Sequence, residues 1–127
     1  MKEESKDSVM AQSRIDIFAE MVKQQPDDAM IWYGLASEYV KAERWSEAAD
    51  ALGNVVRLNP DYTAAYQMLG TALLNQGQSE EARRAWTQGI EAANRTGAWK
   101  ARQHMEGLLG GADAASSGSA QNSEFCD

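Results

Sequence analysis

Two side chains in this sequence ordinarily change charge near neutral pH, His104 and Cys126, and there is one of each. Either could serve catalysis only with a companion. His104 would need a Ser or Cys nucleophile within hydrogen-bond reach to act as its general base. It lies in "GAWKARQHMEGLL" (97–109), where no such residue occurs. We read it as an outward-facing residue of that segment. Cys126 is the penultimate residue, the wrong spacing for a prenylation signal. There is no glycine-rich phosphate loop, and no His, Cys or Asp cluster has metal-ligand spacing. The charged run "SEEARR" (79–84) reads as the solvated start of a helix with ion pairs across one turn. The sequence therefore predicts no enzyme, no metal and no cofactor.

Charge narrows the partners. The 127 residues carry a net charge of −7, with both signs mixed along the chain. Phosphate neutralisation needs clustered Lys and Arg, so nucleic acid is disfavoured, and so is an anionic membrane surface. A single cysteine forms no internal disulfide. The opening "MKEESKDSV" is charged, with no apolar run behind it, and no stretch has membrane-spanning length. The expectation is a soluble, cytoplasmic protein.

With chemistry absent, the informative residues are those that repeat. Slid along itself until Trp32 falls on Tyr66, the sequence also sets Leu35 on Leu69, Ala36 on Gly70 and Tyr39 on Leu73. In the same register Ala48 falls on Ala82, Leu52 on Trp86, Val56 on Ile90 and Pro26 on Pro60. A period of such length marks stacked helical or strand units. Trp32-x2-Leu35-Ala36-x2-Tyr39, Ala48-x3-Leu52 and Pro60, and again Tyr66-x2-Leu69-Gly70-x2-Leu73 with Ala82-x3-Trp86, resemble the tetratricopeptide repeat. The departures are Asn94 where the pattern has Pro, and Leu at 52 and 73 in place of an aromatic.

The resemblance implies an all-α fold of antiparallel helix pairs, A and B, stacked as a short right-handed α-solenoid. Small residues (Ala36, Gly70, Ala48, Ala82) let the backbones approach, and large ones (Trp32, Tyr39, Leu52, Tyr66, Trp86) fill the space beside them. Helices are predicted near 28–41, 45–58, 62–75 and 79–95. Asp27 or Asp28, Ser46, Asp61 and Ser79 are the predicted N-caps, and Gly77 the turn of the second pair. Upstream, Phe18, Met21 and Val22 stand one period before Leu52, Val55 and Val56. Residues 9–24 thus read as a B helix without its A helix, where Arg14 is tolerated in the place of Ala48. Downstream, 97–109 shows helical spacing without the repeat's pattern and reads as a cap. The organisation is a frayed 1–8, a repeat domain over 9–109 (half-repeat 9–26, repeats 27–60 and 61–96, cap 97–109), and a disordered Gly/Ala/Ser-rich tail over 110–127.

A second stripe on each A helix is not needed for the core: Met30, Tyr33, Ser37, Val40 and Lys41, then Ala64, Gln67, Thr71, Leu74 and Asn75 at the same spacing, with Gly34 and Met68 beside them. In the tetratricopeptide family this face lines a concave groove that holds partner segments. The resemblance implies that role for Met30, Tyr33, Ser37, Val40, Gln67, Met68, Thr71, Leu74 and Asn75, with Lys41 at the edge. One subgroup clamps the terminal carboxylate of chaperone tails with Lys, Arg and Asn. Tyr33, Ser37 and Met68 stand in those places here, which argues against that ligand. The expected function is a protein-binding adaptor for a mainly apolar segment. The alternative is a self-associating scaffold, a weak homo-oligomer built through the solenoid's ends.

Overall fold

The computed structural model describes residues 6–117, so expectations for 1–5 and 118–127 lie outside the described residues. Within them the chain forms six helices and no strand: α1 Lys6–Gln24, α2 Ala29–Lys41, α3 Trp45–Leu58, α4 Thr63–Asn75, α5 Ser79–Thr96 and α6 Trp99–Ser117. Each packs on its neighbour in sequence, and α4 also touches α6. That nearest-neighbour pattern is the all-α helical-repeat solenoid.

The repeat sets the joints. Trp32 Nε1 donates to the Pro26 carbonyl at 2.8 Å, and Tyr66 Oη donates to the Pro60 carbonyl at 2.9 Å. Equivalent aromatics thus tie the start of α2 and α4 to the turns before them. Inside the pairs, Ala36, Leu52 and Val55 share one buried cluster, while Trp86 closes over Gly70 in the second pair. A Cβ on Gly70 would run into the indole, so the glycine is required by close approach. The indole nitrogen still finds a partner, donating to the Gln67 carbonyl at 3.1 Å.

The ends differ from expectation. α1 begins at Lys6, inside the segment expected to fray, and α6 runs on to Ser117, through residues 110–117 that the sequence assigned to a disordered tail. Ala112, Ala114 and Ala115 are strong helix formers, and they carry the helix past Gly110 and Gly111. Capping also differs. Asp28 caps α2, accepting from the Met30 and Ile31 amides. Ser46 and Ser79 lie inside their helices, and the N-cap positions of α3, α4 and α5 fall to Arg44, Tyr62 and Gln78, without a side-chain cap. Gly77 turns with φ 82°, as the sequence predicts, and Glu43, at the equivalent place one period earlier, takes the same left-handed conformation at φ 59°.

Arg14 does more than occupy an open place. Its Nε donates to Glu38 Oε1 at 2.8 Å, and Lys41 Nζ reaches Glu38 Oε2 at 3.5 Å. Glu38 is a buried carboxylate on α2. Arg14 therefore neutralises an acid where α1 meets α2, a role invisible at the equivalent pair Ala48 and Ala72.

The cap, too, has repeat character. Ala98, Ala101 and Met105 pack on α5 as Tyr62, Ala65 and Leu69 pack on α3. The spacing is two residues longer than the internal period, which hid it. The cause is Asn94: without the proline that ends the other B helices, α5 extends to 18 residues against 14 in α3.

Candidate partner-binding face

The predicted stripe divides between α2 and α4. On α2, Met30 is 71% exposed and Lys41 is exposed, while Tyr33, Ser37 and Val40 are half-buried. On α4, Leu74 is 40% exposed and Asn75 is exposed, while Gln67, Met68 and Thr71 are half-buried. No stripe residue belongs to the buried core, but several are held by local contacts.

Tyr33 stacks on Tyr62 with ring centroids 5.0 Å apart and planes 27° apart. Tyr62 sits at the start of α4, so this pair joins the two A helices. Burial raises the Tyr33 pKa and the neighbouring Tyr62 adds to it, so the phenol stays neutral and its hydroxyl keeps a donor hydrogen. Met68 packs against the same cluster. Thr71 Oγ1 donates to the Gln67 carbonyl at 3.2 Å, and Asn75 Nδ2 donates to the Thr71 carbonyl at 2.9 Å. Lys41 is turned toward Glu38. Burial opposes ionisation of Glu38, but the bond from Arg14 and the charges of Lys41 and Arg14 outweigh it, and its pKa falls below the usual value. The ionised acid keeps Lys41 at one end of the stripe.

At the other end, Met30 and Tyr62 open onto a depression of about 570 Å³ bounded by Gln24, Gln25, Asp27, Asp28 and Asn59. The sequence analysis did not include it, because its walls come from two turns that only the fold brings together. Nor did it align α6 with the A helices. At the two-residue-longer spacing, Gln103 and Gly107 correspond to Gln67 and Thr71, and both are exposed. Allowing for the missing proline at Asn94 would have aligned them.

Chemically the face offers thioether, phenol, aliphatic and amide groups with one cation, suited to packing and hydrogen bonding. His104 is exposed on α6 beside Trp99, Lys100 and Gln103. Cys126 lies outside the described residues. Among the described residues no group of three His, Cys, Asp or Glu could hold a metal ion, and no helix is long and apolar enough to cross a membrane.

Comparison with known proteins agrees with the internal period. Residues 33–98 match the tetratricopeptide repeat family. A TPR repeat-containing protein of Pseudomonas aeruginosa is 32% identical over 95 residues, covering 75% of this chain and 90% of that protein. In structure, the TPR2B domain of yeast Sti1, in a complex with pHsp70, superposes with a TM-score of 0.77 at 16% identity, covering 86% of this chain and 87% of the other. The first TPR of Spaghetti, bound to an HSP90 peptide, gives 0.64 at 22% identity, with 82% and 83% covered. With the repeated joints, the helix order and these similarities in agreement, the chain belongs to the tetratricopeptide repeat family.

Proposed function

We propose that the protein is a non-catalytic interaction module that holds a mainly apolar segment of a partner protein on the concave face formed by α2 and α4. The observation that carries this reading is the stripe itself. It recurs one period apart on the two helices, stays out of the buried core, and leaves Met30 and Leu74 open to solvent. Exposed large apolar residues aligned in this way mark recognition surfaces.

Support comes from the Sti1 and Spaghetti domains, whose structures contain pHsp70 and an HSP90 peptide. Their low identity makes that an analogy of fold, and the ligand is argued from this chain's own residues. Tyr33, Ser37 and Met68 replace the Lys, Arg and Asn of a carboxylate clamp, so the partner segment is apolar rather than acid-ended. Gln67, Thr71 and Asn75 add donors and acceptors for its backbone. With one lysine on the stripe, binding depends only weakly on salt. The same reading places the protein in the cytoplasm, in keeping with a single cysteine.

Photo-crosslinking tests the face. A benzophenone side chain at Ser37 or Thr71 should trap a partner from cell extract, and the same group at Asp50 or Thr87, on α3 and α5, should not. Crosslinks from Asp50 and Thr87 alone would overturn the reading.

A further inference from the structure

The turns that open the two complete repeats are built alike and finished differently. Pro60 and Asp61, before α4, are met by Arg95 from the end of α5. Its Nε donates to Asp61 Oδ1 at 3.0 Å, and its Nη2 donates to the Pro60 carbonyl at 3.2 Å. That carbonyl also accepts from Tyr66 Oη, so both of its lone pairs are used. One period earlier stand Pro26 and Asp27, before α2. The Pro26 carbonyl accepts from Trp32 Nε1, and no second donor reaches it among the described residues. Asp27 is exposed and makes no hydrogen bond or ion pair among them. Asp28 gives its carboxylate to the first amides of α2. The cause lies in the helices behind the turns. α5 runs to Thr96 and carries Arg95 in its last turn, whereas α3 ends at Leu58, ahead of Pro60. Where the second turn holds a guanidinium, the first has the open depression of about 570 Å³ against Pro26, Asp27, Met30, Asn59 and Tyr62.

We propose that this depression takes an arginine side chain of the partner segment, from a residue beside its apolar stretch. The proposal rests on the reading that α2 and α4 hold that segment, and it names the residue that fixes the segment's register. The chain itself supplies the template, since the same pairing of proline carbonyl and aspartate carboxylate binds a guanidinium one period later. The planar fork of an arginine donates to both acceptors at once, in a fixed geometry that a lysine ammonium lacks. Met30 and Tyr62 supply apolar wall for its methylenes. Charge agrees. The chain carries a net charge of −7, and no Lys or Arg lines the depression. Met30 belongs to the depression and to the stripe alike, so the arginine lies next to the apolar contacts. A single exposed pair adds little salt dependence, in keeping with the weak dependence expected of the face.

Selection of a random peptide library, displayed on phage, against the full chain tests this. Enriched peptides should share an arginine at a fixed distance from an apolar run. Selection on Asp27→Asn, a change at an exposed site with an unchanged circular dichroism spectrum as its control, should keep the apolar run and lose the arginine. For one enriched peptide made synthetically, Asp27→Asn should weaken binding about three- to tenfold, and so should replacing the peptide's arginine by alanine. The two changes together should cost no more than either alone. A common apolar run without a fixed arginine overturns the proposal and leaves the reading of α2 and α4 standing. An arginine that contributes as much to binding Asp27→Asn as to binding the wild type also overturns it, because the guanidinium then sits elsewhere. A selection that yields no common sequence overturns the proposal and that reading together.

Discussion

The two complete repeats make the same joint with the bulk placed differently. In the first, Ala36 on α2 shares its cluster with Leu52 on α3. In the second, Gly70 on α4 gives up its Cβ and Trp86 on α5 fills the space. What the repeat preserves is the filled volume between two backbones, not the residue at either place. The two turns show the same economy in reverse. Gly77 takes a left-handed conformation without cost, and Glu43 takes it with one.

That comparison is broken most sharply in the second joint. Trp86→Ala should cost about 3–5 kcal/mol, because the fully buried ring has no neighbour able to collapse into its place. Urea denaturation would measure it, and a loss under about 1 kcal/mol would remove the ring from the core. Next come the small residues. Gly70→Ala should cost about 1–3 kcal/mol by driving a methyl into the indole, and Ala82→Leu a similar amount.

The half-repeat sharpens the comparison in another way. From the sequence, Arg14→Leu would be neutral or mildly stabilising, since no A helix is expected to face that place. With Glu38 in view, it should destabilise by about 1–2 kcal/mol, the loss of a charge-assisted bond to a buried acid, tempered by the exposure of Arg14. The sign with pH follows. The folded-state pKa of Glu38 is lowered, so its stabilisation is present above the ordinary carboxylate pKa and fades as pH falls through the lower folded value. Denaturation of the wild type and Arg14→Leu should converge at acid pH, and parallel curves from neutral to acid pH would contradict the pairing. The smallest effect lies in the first turn. Glu43→Gly should stabilise by about 0.5–1 kcal/mol, the left-handed strain relieved less the added freedom of the unfolded chain, and Gly77→Glu should destabilise.

The elements were largely legible because the period fixed them twice. α3 spans the predicted 45–58, and α2, α4 and α5 differ from prediction by one residue at one end. What escaped depended on rotation and neighbours. An alignment at a constant period reads spacing, so the net offset of two residues, four added in α5 less two lost from the turn after it, made α6 look patternless although it packs as the A helices do. Pairing of Glu38 with Arg14 crosses two helices and has no counterpart in the other repeats. Ser46, Asp61 and Ser79 had the chemistry of caps but not the position, because α3 and α5 begin earlier and α4 begins later than each would require. Of the stripe, its helices and spacing were legible. The use of Tyr33 in stacking on Tyr62 was not, since Tyr62 enters from a turn.

The central claim is that α2 and α4 hold a partner through a stripe none of whose residues is fully buried. Met30 and Leu74 are the exposed large apolar residues of that stripe, so Met30→Ser with Leu74→Ser alters the face and spares the packing. The measurement is affinity of this double variant for the segment trapped by crosslinking at Ser37, titrated beside the wild type with circular dichroism as the control for folding. The account predicts at least about a tenfold weaker Kd for a variant with unchanged helicity and melting temperature. Wild-type affinity in the folded double variant would contradict it.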